Sequence, residues 1–283
     1  MGVGAQLEVL LGGLRFPEAP RWRDGKLWFS DFYAHRVVTV DADGRDETIV
    51  KVPQRPSGLG WTPAGDLLVV SMLDRRLLRF DGKALHPYAD LSALATGPCN
   101  DMVVDAAGRA YVGNFGYDRH NNAPPRDTRI IRVDPDGRAA SIGDELVFPN
   151  GMVITPDGQT LIVGETFANR LTAFDVGADG ALSNRRVFAQ LDGVFPDGIC
   201  LDAEGAVWVT NPRGNRVVRV LRGGRIAETV ATGERGSYAC MLGGPDRRTL
   251  FVLTNTGSGP AMAEKSDGRI EMVRVDVPGA GLP

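Results

Sequence analysis

The sequence predicts an all-β fold, a six-bladed β-propeller, on three observations. A segment of about 40 to 50 residues recurs six times, a period that suits one four-stranded blade. Within each copy the apolar residues alternate with a period of two, where a helical repeat would show 3.6. A pair such as Asp-Gly joins the two apolar runs, and Gly there accepts the positive φ that a tight hairpin demands.

The copies follow in order. The first opens at Phe16-Pro17-Glu18, turns at Asp24-Gly25 and closes at Arg36 to Asp41. The second opens at Arg55-Pro56-Ser57, turns at Ala64-Gly65 and closes at Arg76 to Asp81. The third opens at Pro98-Cys99-Asn100-Asp101, turns at Ala107-Gly108 and closes at Arg129 to Asp134. Phe148-Pro149-Asn150-Gly151 with Asp157-Gly158, and Phe195-Pro196-Asp197-Gly198 with Glu204-Gly205, begin the fourth and fifth. The sixth is weaker, with Tyr238-Ala239-Cys240, a turn at Asp246-Arg247 and a run from Arg269 to Val273. A small antiparallel sheet cannot bury both faces alone, so the copies must stack radially and close on themselves. Leu7 to Leu11 is expected to supply a strand that completes the last blade, making residues 1–283 one domain. Phe115 to Arg129 interrupts the third copy and reads as a loop, a candidate lid over one end of the ring. The arginines ahead of the closing strands are expected to bridge blades, and Asp90 to Ala95 to form a single turn.

Composition narrows the function. Hydrophobic residues make up 43% of 283, enough for a core, and 36 Gly and 18 Pro scattered between short apolar runs mean many turns. A net charge of −3 without a basic run offers no face for nucleic acid or an anionic membrane. No apolar run approaches the roughly 20 residues of a membrane helix. The start of the chain lacks a basic, cleavable leader, and three widely spaced cysteines suggest neither disulfide framework nor zinc knuckle. A cytoplasmic, reducing setting is expected, as a monomer or small homo-oligomer.

In a propeller the start of each innermost strand delivers a side chain towards the central channel. Those positions hold Glu18, Ser57, Cys99, Asn150 and Asp197, with Asn100 one step beyond Cys99. Carboxylate and amide oxygens from Glu18, Asn100, Asn150 and Asp197 suit one divalent cation, Ca²⁺ first, with Mg²⁺, Mn²⁺ or Zn²⁺ as alternatives. Two carboxylates and two amides leave coordination positions open for water and substrate, the arrangement of a catalytic site. Taken singly, a Pro-Asn-Gly or Pro-Asp-Gly is more often a turn; in register across four copies the set is a site.

These residues also carry a resemblance. Phe16-Pro17-Glu18 with Trp22, Asn100-Asp101 with Asp105 and Gly108, Pro149-Asn150-Gly151 with Asp157-Gly158, and Pro196-Asp197-Gly198 with Asp202 and Gly205 resemble the regucalcin/gluconolactonase/luciferin-regenerating (senescence marker protein) family over nearly the whole chain. The resemblance implies a single divalent cation in the channel and hydrolysis of a lactone. Glu18, Asn150 and Asp197 match metal ligands, Asn100 a residue that binds substrate or metal, and Asp197 also the general base or nucleophile. Sugar lactonases of the family carry an Arg two residues before Asn100, where this chain has Pro98. With Tyr33, Met72, Leu73, Phe115 and Tyr117 near the mouth and His120 in the lid, the substrate is expected to be a lactone or ester less polar than a sugar lactone. Phosphotriester hydrolysis on the same metal and a non-catalytic ligand-binding propeller are the alternatives. Glu165 is expected to be a structural ion-pair partner or loop anchor, Asp101 a partner of the site or a strand-start anchor, and Cys99 a packing residue facing the same mouth.

Overall fold

The structure is a computed structural model in which residues 7–281 are described, the side chain of His120 excepted. Among these residues twenty-four strands form six four-stranded antiparallel sheets, arranged as the blades of a propeller. The first blade shows the plan. Pro17–Arg23 lies innermost, followed outward by Lys26–Asp31, Arg36–Val40 and Asp46–Lys51, each pairing with the strand before it. The other innermost strands are Pro56–Trp61, Cys99–Val104, Pro149–Ile154, Ile199–Leu201 and Gly236–Gly243, and each neighbours the next around the axis.

Ring closure uses the strand expected near Leu7 to Leu11. Glu8–Leu14 pairs antiparallel with Gly268–Arg274, so the sixth blade takes its outermost strand from the start of the chain and the other three from its end. This protects an edge that would otherwise present unpaired backbone groups.

The hairpin turns read from the sequence are present, and they account for the weak sixth copy. Gly25, Gly65, Gly108, Gly158 and Gly205 all have φ between 72° and 94°. The sixth inner hairpin instead puts Arg247 at φ 58°, so its turn lacks the glycine signature.

The core lies between blades. Leu68 and Val70 of the second blade pack with Met102, Val112 and Ile131 of the third, all fully buried. Ile162 of the fourth meets Val207, Val209 and Val218 of the fifth in the same way. Each such side chain contributes roughly 1.5–3 kcal/mol by leaving water, so the period-two pattern that predicts the strands is also what holds the ring together.

The arginines ahead of the closing strands differ from expectation. Arg36 reaches Asp31 at 3.5 Å and Arg170 reaches Glu165 at 2.7 Å, both inside their own blade. Paired strands within a sheet lie close enough for a side chain to span them, whereas the next blade is separated by apolar packing. Asp90 to Ala95 does contain a turn, with Leu91 O accepting from the backbone N–H groups of Leu94 and Ala95.

Candidate functional site

Sheet register decides which side chains reach the axis. Pro17 pairs with Asp31, Pro56 with Ser71, Cys99 with Asn114 and Pro149 with Glu165. Cys99 therefore occupies the place of a leading proline, and Asn100 falls in line with Glu18, Ser57 and Asn150. That corrects two readings: Asn100 is in register, and Cys99 is fully buried in the apolar packing between the second and third blades, away from the mouth.

Two devices fix these positions. The residue ending the second strand of a blade anchors the lead-in to the first. Asp31 Oδ1 accepts from the backbone N–H groups of Arg15 and Phe16 at 3.1 and 2.9 Å, Glu165 Oε2 from Val147 at 2.7 Å, and Asn211 Oδ1 from Phe195 at 3.1 Å. Glu165 is completely buried, paired with Arg170 and bonded to Thr172, which makes it the structural partner expected.

The second device is the glycine after the polar residue. A Cβ on Gly151 would stand 2.5 Å from Ile199 N, and one on Gly198 2.6 Å from Ala239 Cα. Pro-Asn-Gly and Pro-Asp-Gly are thus not turns here; they let adjacent inner strands touch at the axis.

The result is a floor of polar side chains beneath a cavity of about 360 Å³, into which Glu18, Asn100, Asn150 and Asp197 all open. Ser57 Oγ donates to Asn100 Oδ1 at 3.1 Å, and Asn100 Nδ2 to Asn150 Oδ1 at 3.0 Å. Asn150 Nδ2 donates to Thr166 Oγ1 at 3.3 Å, and the Asn150 side chain also bonds Asp197. Below the floor, Arg21 holds Asp101 at 2.8 Å and donates to Leu59 O at 3.1 Å, a buried ion pair that ties the first three blades together. This assigns Asp101 to the support of the floor.

The electrostatics of the floor are strained. Burial, then the neighbouring Asp197 carboxylate, pushes Glu18 well above the usual carboxylate range. Burial pushes Asp197 up to about 7, against the hydrogen bond from Asn150, which holds it down. Burial and the same two carboxylates raise Tyr238, on the cavity wall, to about 12. Among the described residues no three His, Cys, Asp or Glu cluster as metal ligands, so any ion here would rely on the two amides as well. The donor set fits a hard divalent cation: two carboxylates, each disfavoured as an anion, and two amides share one floor, where only the more distant charge of Arg119 favours the Asp197 anion.

Tyr33, Met72 and Phe115 line the cavity. Tyr117 does not. Its ring packs edge-on against Phe148 at 5.9 Å and lines a separate pocket with Arg126 and Asp127, because Phe148 stands between it and the cavity. Leu73 points outward, 45% exposed. The backbone of His120 lies in a short 3-10 turn, Arg119–Asn121, within the expected lid; its side chain falls outside the described residues.

The sequence reading missed two groups on the wall. Phe16, Phe148 and Phe195 all face the cavity, and the recurring Phe-Pro lead-in was their visible signal. Arg55, Arg119 and Arg213 also line it, Arg55 from the lead-in position that Phe16, Phe148 and Phe195 hold elsewhere, Arg119 and Arg213 from 3-10 turns between the second and third strands of their blades.

A six-bladed propeller with this floor defines a class, and comparison with known sequences places the chain in it. The chain belongs to the SMP-30/gluconolactonase/LRE-like family, whose model matches residues 16–256. Among its relatives, the 6-deoxy-6-sulfogluconolactonase of Pseudomonas putida is 26% identical over 94% of this chain and 93% of that protein. Regucalcin of Danio rerio is 31% identical over 61% of this chain and 59% of its own. Among solved structures, a luciferin-regenerating enzyme superposes with a TM-score of 0.83 at 18% identity, over 98% of this chain and 97% of that one. The calcium-binding protein regucalcin of Agrobacterium tumefaciens gives 0.83 at 22% identity, over 99% and 97%. No helix among the described residues is long and apolar enough to cross a membrane.

Proposed function

We propose that this chain is a metal-dependent lactonase, with Glu18, Asn150 and Asp197 as metal ligands, Asn100 as a further ligand or substrate contact, and Asp197 as the base. The observation that carries this reading is the floor itself, two carboxylates raised chiefly by burial and two amides at the bottom of an aromatic-walled cavity. The family and the lactonases among its relatives, from Pseudomonas putida and, at 28% identity, Haloferax volcanii, support it. The regucalcin relatives favour Ca²⁺ as the ion.

Bound on this floor, a divalent cation supplies Lewis-acid polarisation of the lactone carbonyl and stabilises the oxyanion. The protein's own groups do the rest. Asp197 takes a proton from water as the water oxygen bonds to the carbonyl carbon. The ring C–O bond then breaks, and the proton passes to the departing alkoxide to give the open hydroxy acid. Direct attack by an Asp197 oxygen, through an acyl intermediate, is the competing route. Asn100, held by Ser57 and Asn150, keeps its amide facing the cavity. Phe16, Tyr33, Met72 and Phe115 offer the substrate ring an apolar wall, which supports a ring less polar than an aldonolactone.

The test is hydrolysis of aldonolactones, alkyl lactones and aryl lactones by chelator-stripped protein with Ca²⁺, Mg²⁺, Mn²⁺ or Zn²⁺ returned. Turnover restored by metal is the expected result. No turnover with any metal by folded protein overturns the reading; phosphotriesters in the same panel then separate the phosphotriesterase from a ligand-binding propeller.

A further inference from the structure

Several arginines away from the mouth are tied to carboxylates: Arg21 to Asp101, Arg109 to Asp105, Arg170 to Glu165 and Arg219 to Asp202, each within 2.8 Å. Among the described residues Arg55, Arg119 and Arg213 form no ion pair of this kind, although the charge of Arg119 reaches Asp197, and Nε of Arg55 is buried without any hydrogen bond. Each lies instead on an aromatic ring. Arg55 sits 4.5 Å above Tyr33, Arg119 5.5 Å from Phe167, and Arg213 4.3 Å above Phe195 and 5.8 Å from Phe167.

Stacking of this kind fixes the plane of a guanidinium and leaves its N–H edges available to an acceptor. A divalent cation held by Glu18 and Asp197 would cancel the two carboxylates of the floor and leave three guanidinium groups as the charge in the cavity, in a chain whose net charge is −3. Three unneutralised positive charges around one cavity repel each other. They are relieved by an anion, and a neutral hydroxylated ring would leave that repulsion in place. The arginines come from the second, third and fifth blades and line the same cavity as the floor, so the anion belongs on a substituent of the ring, leaving the ring carbonyl to the floor.

We infer that the substrate is a lactone carrying a strongly anionic substituent, a carboxylate, phosphate or sulfonate, bound by Arg55, Arg119 and Arg213 while its ring lies on the aromatic wall. This rests on the lactonase reading for the ring, and on the arginines alone for the charge.

The experiment compares one neutral δ-lactone with analogues of the same ring whose terminal carbon bears carboxylate, phosphate or sulfonate. The wild-type protein, Arg55→Gln, Arg119→Gln, Arg213→Gln and the triple variant are assayed at low and high salt. The best charged analogue should exceed the neutral lactone by about tenfold or more in kcat/KM, chiefly through KM, with the advantage shrinking as salt rises. Each single variant should reduce that ratio and the triple variant bring it close to one; which analogue gains most names the anion. A wild-type ratio of one or below, or variants that slow both substrates equally, overturns the inference. Should no lactone be turned over, calorimetry with the open hydroxy acid, with and without the terminal phosphate, separates the two ideas. A preference for the phosphate form that the triple variant loses keeps the anion site while the lactonase reading falls, and no preference overturns the site.

Discussion

The floor and the mouth of the cavity are built by opposite means. Glu18, Asn100 and Asn150 occupy one register position in three inner strands, and Asp197 leads into a fourth, so a single local pattern repeated around an axis brings together residues up to 179 apart in number. The mouth draws on connections: the lead-in before Pro56 and two 3-10 turns between second and third strands, Arg119–Asn121 and Pro212–Gly214. The repeat keeps the place of such a connection and not the residue it carries. Chemistry belonging to the whole family can therefore sit on the floor, while selectivity for one substrate is free to vary at the mouth.

Removing the charge of Asp197 tests the floor most severely. Asp197→Asn should lower lactone hydrolysis by about 10²–10⁴-fold, the range for a lost general base, with the folded state retained, checked by steady-state kinetics at saturating metal. A loss under tenfold would place the base elsewhere.

The scaffold under the floor should yield next. Glu165→Ala strands Arg170 and the backbone N–H of Val147, and should cost about 3 kcal/mol, the lower end for breaking a buried pair, read from denaturant midpoints. Gly198→Ala pushes a methyl group into Ala239 of the next blade and should cost roughly 1–3 kcal/mol as overpacking, with a fall in kcat/KM because Asp197 is the adjacent residue. Full activity in Gly198→Ala would break the link between strand contact and ligand position.

These differences also explain what the sequence made legible. The blades could be read because alternation and Asp-Gly hairpins are local, and the floor because its residues share one position in the repeat. Cys99 misled because a cysteine replaces the leading proline in the third blade, so counting from Pro98 put Asn100 one step late; the pairing of Cys99 with Asn114 corrects it. Glu165 was legible as an anchor from Arg170 five residues on, but Asp31 and Asn211 were hidden, since three different side chains perform one task. The arginines were hidden because nothing in the spacing of 55, 119 and 213 encodes that they face one cavity.

The floor has a pH signature that the mouth lacks. In chelator-treated protein Asp197 titrates near 7 when folded and near 3.8 otherwise, with Glu18 raised as well. Between those values the folded state holds protons that the unfolded chain has released, so stability falls as pH rises through this window. Surface carboxylates held low by hydrogen bonds, such as Asp157 and Asp175, titrate below it and do not interfere. Metal-free protein should thus melt lower at pH 8 than at pH 5, and added Ca²⁺ should raise the pH 8 transition most. Equal melting at both would mean that burial does not hold these carboxylates protonated.

The smallest expected effect sharpens the boundary of the mouth. Tyr117 lies in the same loop as Arg119, and sequence position alone would give both a place against the substrate. Phe148, stacked on Phe115 at 4.7 Å with ring planes 6° apart, closes the wall between Tyr117 and the cavity. Tyr117→Phe keeps the ring that packs on Phe148 and removes only the hydroxyl. It should leave kcat/KM within about twofold, as for surface substitutions remote from any contact, whereas Arg119→Gln two residues away should reduce the preference for a charged lactone. A large loss in Tyr117→Phe would mean that the loop swings to bring this hydroxyl over the substrate, making it the lid its length suggests.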